Sequence, residues 1–203
     1  MTKQPEKITD PLYQEALTRF AEAFERAKRC GLQEPTAMTL ATADRAARPS
    51  ARTVLLKDFD GAGFTFYTNI GSRKGRDLMS NRRAALCFFW QPLQEQVQID
   101  GPVTIVDDSE ADTYWASRAR ESQIGGWASL QSRPLENRAE LEDRVKELSK
   151  KYASGAIPRP PHWNGFRVAP ERIEFWKMRP HRLHERTVYE KDARGWKKGL
   201  LYP

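Results

Sequence analysis

Cysteine is scarce in this chain: Cys30 and Cys87 are the only two among 203 residues. Two cysteines cannot make a disulfide framework, and no CxxC or CxxH spacing supports a metal site, so no metal is expected. Cys87 falls in the apolar run Ala84-Ala85-Leu86-Cys87-Phe88-Phe89-Trp90 and reads as a small core residue. Cys30 stands beside an expected helix end. Long apolar runs are missing too, and none approaches the ~18 residues of a membrane span. Met1 to Asp10 hold no apolar stretch, so no secretory signal is expected and a reducing cytoplasm is the expected compartment. Also absent are repeats, low-complexity tracts and crossover helices between the strand-like segments. The last absence argues against a doubly wound parallel sheet.

What is present is globular: 39% hydrophobic and 30% charged residues. The length suits a single domain over residues 1–203. Such a chain buries roughly 70% of its unfolded surface and needs neither disulfide nor metal to fold. Lys and Arg number 34 against 27 Asp and Glu, a net charge of +7. That balance suits an anionic partner, whether nucleic acid, membrane surface or phosphate ester, and the total alone does not choose among them.

Asp10-Pro11 is a helix start, with Asp as N-cap and Pro at the first position. Leu12, Ala16, Leu17, Phe20, Ala23, Phe24 and Ala27 follow at helical spacing, and Gly31 stops the helix. Strands are expected over 36–43, 52–57, 63–68, 84–91 and 94–106, with a bulge or break at Gly101-Pro102. Strands in series with short links point to an antiparallel barrel or sandwich with flanking helices. A short helix is expected after Ser72. A second should be opened by Ser109-Glu110-Ala111-Asp112 as a capping box and run through Tyr114 to about Arg118. A third, highly charged, covers 137–152 with Leu141, Val145 and Leu148 inward and a solvated outer face. Past the stiff connector Ile157 to Pro161, strands are expected over 166–168, 173–177 and 182–189.

Several groups could carry chemistry. Gly71-Ser72-Arg73-Lys74 precedes a helix, where free N–H groups, a hydroxyl and two cations make a phosphate seat; as a bare motif it reads first as an ordinary N-cap with solvent-facing cations. Tyr114, Arg118 and Ser122 share one face if their helix continues that far, and a phenol, a guanidinium and a hydroxyl can ring a phosphate. Arg182, His184 and Arg186 alternate, so on a strand they point one way and call for an anion or an electron-rich ring between them. Arg52 and Lys57 are five apart, which puts them on opposite faces of a regular strand. Either a bulge re-aims one, or they serve different ligands.

Taken together, these segments resemble the pyridoxamine 5′-phosphate oxidase family. The resemblance is carried by Arg52-Thr53-Val54-Leu55-Leu56-Lys57, Phe66-Tyr67-Thr68-Asn69 with Gly71 to Lys74, and Glu95-Gln96-Val97. It continues through Ser122-Gln123-Ile124-Gly125-Gly126-Trp127-Ala128-Ser129, Gln131-Ser132, Pro158 to Trp163, Glu174-Phe175-Trp176 and Arg182-Leu183-His184-Glu185-Arg186. It implies an FMN-binding split barrel (an antiparallel Greek-key β-barrel), with an N-terminal helical segment over 1–35 and a dimerisation and substrate-ring region over 158–203. It further implies a homodimer with FMN at the interface and an FMN-dependent oxidase that makes pyridoxal 5′-phosphate.

By the same resemblance, Arg52, Thr53, Val54, Leu55, Tyr67, Thr68, Arg73, Lys74, Gln96, Gln131, Ser132, Trp176 and Arg186 contact FMN. Lys57, Tyr114, Arg118 and Ser122 hold the substrate phosphate. Arg182 and His184 stand over the pyridine ring as the catalytic pair, His184 being the candidate for proton handling. The chain departs from the family at Glu95 and Ala119, where Arg and Pro are usual, and at its Leu200-Leu201-Tyr202-Pro203 ending. The basic, Tyr-containing stretch that precedes the first helix in the family has no counterpart, which leaves open what covers the substrate. Three other readings fit the residues: a sister flavin oxidase of the phenazine type, a module that binds pyridoxal 5′-phosphate without catalysis, and a single-stranded nucleic-acid binder.

Overall fold

The computed structural model describes residues 9–203. The first eight residues of the expected N-terminal segment lie outside the described residues. Helix α1 spans Pro11–Arg29, and its N-cap Asp10 accepts from Leu12 N at 2.9 Å. The apolar spacing does its expected work: Ala16, Leu17, Phe20, Ala23, Phe24 and Ala27 are buried, and Tyr13 joins them. Phe20 pins the helix to the sheet, with its ring 4.8–5.2 Å from those of Phe59, Phe64 and Phe88.

Ten strands follow: β1 (Ala37–Ala43), β2 (Pro49–Leu55), β3 (Asp58–Asp60), β4 (Gly63–Asn69), β5 (Arg83–Trp90), β6 (Glu95–Ile105), β7 (Trp163–Val168), β8 (Arg172–Lys177), β9 (Glu185–Asp192) and β10 (Gly195–Leu200). Every pairing is antiparallel. The main path runs β10-β9-β8-β6-β5-β1-β2, while β7 bridges β4 and β6 and β3 pairs with β4. The result is the curled sheet of a split barrel. Helix α2 (Arg73–Ser80) starts at Ser72, whose hydroxyl accepts from Gly75 N. Helices α3 (Asp108–Ser117), α4 (Arg120–Ala128) and α5 (Arg138–Lys151) close one side over a second core of Trp115, Ile124, Ile157 and Trp163. Val145 and Leu148 of α5 pack against that core. Among the described residues, no helix is long and apolar enough to cross a membrane, and both cysteines are free and half-buried.

Five expectations change. Gly101-Pro102 is neither a break nor a bulge: β6 runs through it in unbroken register with β5. It is where β6 exchanges neighbours, pairing with β8 as far as Asp100 and with β7 from Val103. A Cβ at Gly101 would sit 2.0 Å from Ala169 O, so the crossing chain leaves room for hydrogen alone. Ser109 is not an N-cap, because α3 begins two residues earlier, at Asp108 behind Asp107. That helix does not carry Tyr114, Arg118 and Ser122 on one face. It ends at Ser117, and Arg118 (ψ 147°) and Ala119 (ψ 141°) are extended before α4. Gln123 Nε2 caps the finished helix by donating to Trp115 O at 2.7 Å. Arg182 and His184 do not lie on a strand either, since β9 starts at Glu185. Finally, β2 ends at Leu55, so Lys57 escapes the strand alternation that set it opposite Arg52.

Candidate active site

The ends of β2 and β4, the start of α2 and the α3–α4 junction surround a cavity of about 520 Å³. Arg52, Thr53, Val54 and Leu55 line it from β2, Lys57 from beyond that strand, Tyr67 and Thr68 from β4, and Lys74 from α2. Tyr114, Arg118, Ser122 and Gln131 complete the wall among the expected residues. The α3–α4 break therefore gathers Tyr114, Arg118 and Ser122 as effectively as a continuous helix would.

Arg118 is the outstanding feature of this wall. Its guanidinium lies 5.0 Å from the Trp115 ring and 5.1 Å from that of Trp163. Its Nη1 is buried without a hydrogen-bond partner. Burial shifts the group below its ordinary value, yet a guanidinium stays charged in a protein. A buried, charged, unpaired donor is costly, and Arg118 lines the cavity, so its charge favours an anion there. Lys74 is similar: its ammonium donates to Gln131 Oε1 at 2.8 Å and to Thr68 Oγ1 at 3.3 Å, both neutral. Burial and the nearby Arg52 hold its pKa down. Arg52 donates to Leu40 O and Thr42 Oγ1 at 3.1 and 2.8 Å and stands 3.9 Å from the carboxylate of Asp77. One carboxylate at that distance leaves the Arg52–Lys74 pair with excess positive charge, which suits a phosphate. Arg73, the first residue of α2, is exposed and adds to the field on Arg52.

An aromatic wall flanks the cations. The ring of Tyr67 lies parallel to Tyr114 at 4.1 Å and to Trp163 at 5.1 Å. The Tyr67 hydroxyl points to Glu110 Oε1 at 3.4 Å, and Arg167 grips the same carboxylate at 2.9 and 3.0 Å. Burial, with Glu110 adding to it, pushes the phenol far above its usual range, so Tyr67 stays neutral. Asp77 and Arg167 stand in no motif of the sequence, while Trp163 and Glu110 stand only in a family stretch and an expected capping box. A carboxylate such as Asp77 in an amphipathic helix carries no local mark of its partner across the fold.

The remaining expected residues form a second group. Gln96, Trp176 and Arg186 face one another across β6, β8 and β9 in direct register. Beneath them, buried Glu174 accepts from Arg186 Nε at 2.7 Å and also pairs with Arg172. His184 packs on Trp176 with ring centroids 4.7 Å apart, and its Nδ1 accepts from Arg179 N at 3.2 Å. That bond assigns the ring proton to Nε2, which is then a donor. Arg182 is exposed in the turn before β9, with a left-handed φ of 62°. Gln96 and Trp176 line a separate cavity of about 230 Å³, and Ser132 a third beside α5. Within one chain the two groups stay apart, because β1 and β5 intervene between β2 and β6. Glu95 is buried beside Gln96 between Arg26 and Lys177, at 2.8 and 2.9 Å. Burial alone would raise it, but those two hydrogen bonds hold its carboxyl below its usual range.

Comparison with known proteins gives a consistent result. Residues 24–152 match the family profile described as pyridoxamine 5′-phosphate oxidase, and residues 163–203 match the one described as the pyridoxine 5′-phosphate oxidase C-terminal dimerisation region. A Myxococcus xanthus protein named pyridoxine/pyridoxamine 5′-phosphate oxidase is 58% identical over 187 residues, 92% of this chain and 91% of that one. One of the same name from Anaeromyxobacter dehalogenans is 51% identical over the full length of both. Among solved structures, PhzG from Burkholderia lata 383, in complex with tetrahydrophenazine-1-carboxylic acid, superposes with a TM-score of 0.86. It is 32% identical and covers 100% of this chain and 97% of that one.

Proposed function

The chain belongs to the pyridoxamine 5′-phosphate oxidase family, and on that premise we propose how its residues divide the work. It is an FMN-dependent oxidase that converts pyridoxamine 5′-phosphate or pyridoxine 5′-phosphate to pyridoxal 5′-phosphate, with dioxygen as acceptor and hydrogen peroxide as product. The phenazine-type alternative rests on a likeness of 32% identity, against 50–58% for the vitamin B6 enzymes. The observation that carries the site assignment is the convergence of Arg52, Lys57, Lys74 and Arg118 on one cavity wall.

In this reading Arg118, Lys57, Tyr114 and Ser122 hold the substrate phosphate, each within the same cavity wall. Arg52, Arg73 and Lys74 seat the flavin phosphate, with Thr53, Val54, Leu55, Tyr67, Thr68, Gln131 and Ser132 along the flavin. When bound, FMN supplies the two-electron acceptor and passes the electrons to dioxygen. Arg182 presses the pyridine ring into place and orients its C4′ carbon, the step at which geometry lowers the barrier. His184 donates from Nε2 toward the ring substituents, held in that tautomer by Arg179 N–H. Phosphate esters, rather than nucleic acid, then account for the basic balance.

The protein is a homodimer, and we assign the flavin to its interface. Gln96, Trp176, Arg186, Arg182 and His184 would face the cavity of the partner, so each site draws on two chains. The single chain supports this with apolar side chains left open in the same region: Leu183 is 69% exposed and Leu200 82%. Co-expression of Arg118→Ala and Arg182→Ala chains tests the assignment. Each variant alone should be nearly inactive toward pyridoxamine 5′-phosphate. The co-expressed mixture should regain about a quarter of the parent turnover, because about half of its dimers are mixed and one of the two sites in each mixed dimer is intact. Mixtures as inactive as the parts would place both arginines in one chain's site.

A further inference from the structure

The turn that carries Arg182 and His184 is held in an unfavourable backbone shape. It joins β8 to β9, whose last and first residues, Lys177 and Glu185, pair directly. Inside it, His181 has φ 56° and ψ 23°, and Arg182 has φ 62°. Two successive non-glycine residues in the left-handed region persist only where their surroundings over-determine them. The turn itself offers little for this: one Leu183 N to Pro180 O hydrogen bond, and side chains at 178–183 that are all exposed.

Besides the Lys177–Glu185 pair and the packing of His184 on Trp176, two contacts from Arg179 close the turn across its base. Its guanidinium makes a two-pronged bridge to Glu185, Nε to Oε1 at 2.8 Å and Nη2 to Oε2 at 2.9 Å. Its backbone N–H donates to His184 Nδ1. The planar fork fixes direction as well as distance. One residue thus spans the turn, fixes the tautomer of His184 and sets the end from which Arg182 projects. Lys177 and Arg19 also contribute positive field at Glu185, but neither makes the fork.

We propose that Arg179 and Glu185 are positioning residues, which lock the left-handed turn and thereby set Arg182 and His184 over the substrate ring. The proposal rests on the reading of those two residues given above. It predicts a fault in the chemical step and not in capture of the phosphates, since Arg118, Lys57, Arg52 and Lys74 line a different cavity from Arg179 and Glu185.

The test is anaerobic flavin reduction by pyridoxamine 5′-phosphate in the FMN-loaded dimer, with KM, FMN affinity and Tm measured alongside. Arg179→Ala and Glu185→Ala should each slow reduction about tenfold, with KM and FMN affinity within about twofold of the parent. The double variant should be no slower than either single one, because both remove the same fork. Arg179→Lys, which keeps the charge without the fork, should recover only part of the rate. Arg182→Ala in the same series separates the two readings. If it slows reduction while Glu185→Ala does not, the clamp is wrong and the role of Arg182 stands. If Arg182→Ala reduces flavin at the parent rate, the reading of Arg182 fails and the clamp fails with it. A fall in rate matched by equal losses of FMN affinity and Tm would make the fork a structural bridge and overturn the proposal.

Discussion

Glu174 lies beneath Arg186 and holds it by both prongs, Nε at 2.7 Å and Nη2 at 3.1 Å, while being only 3% exposed itself. Arg186 is the end of the Gln96–Trp176–Arg186 row, so this buried carboxylate aims a side chain assigned to the flavin. Glu174→Gln removes the charge and leaves Arg172 and Arg186 facing each other. Their side chains keep 26% and 30% exposure, so the cost should be about 1–3 kcal/mol, below that of a fully buried pair. Denaturant unfolding measures it, and FMN titration should show weaker retention. A variant that binds FMN as the parent does would detach Glu174 from the flavin.

The same carboxyl gives a pH dependence. Burial would raise its pKa, but hydrogen bonds from Arg186 and Arg172 outweigh that and hold it below the ordinary 4.5. A depressed folded value means that its stabilisation is complete above about pH 4.5 and is lost as pH falls through the folded value. The Tm gap between parent and Glu174→Gln should therefore be constant near neutrality and close below pH 4.5. A gap that widened on acidification would contradict the assignment.

Arg118→Ala should separate binding from stability. A charged hydrogen bond to a phosphate is worth roughly 1.5–3 kcal/mol, so pyridoxal 5′-phosphate should bind about tenfold to a hundredfold more weakly. The fold should change little in the absence of ligand. Losing contact with the Trp115 and Trp163 rings is offset by removing a buried donor that had no partner. Fluorescence titration and thermal melts read the two effects separately.

Gly101→Ala tests the strand crossing. The new methyl would meet Ala169 O at 2.0 Å and Glu171 N at 3.0 Å, both backbone. Neither can swing aside, so a loss on the order of 3 kcal/mol is expected in urea unfolding. A near-neutral result would mean that β6 and the 169–171 segment are further apart.

The sequence disclosed elements whose burial follows a single period. Helix α1 was legible because one face is apolar from Ala16 to Ala27, and β5 because Ala84, Leu86, Phe88 and Trp90 alternate inward. It misled where one pattern has two physical causes. Arg182, His184 and Arg186 alternate as a strand would, yet the first two occupy a turn, and only backbone angles reveal it. The end of α3 near Arg118 was legible, but the start of a new helix at Arg120 was not. At the break Arg118 packs on the Trp163 ring, which is distant in sequence. Strand β10 went unseen because Trp196 alone among its residues is buried. The candidate residues were legible as a set through the resemblance, but their division into two groups on opposite sides of β1 and β5 required the fold.

Oxidation of a phosphorylated B6 vitamer by bound FMN is tested by one anaerobic experiment. Pyridoxamine 5′-phosphate is added to the FMN-loaded protein without oxygen while the flavin's visible band is followed. The flavin band should bleach and recover when air is admitted, with pyridoxal 5′-phosphate formed in proportion. A flavin band that stays unchanged by this substrate would contradict that oxidation.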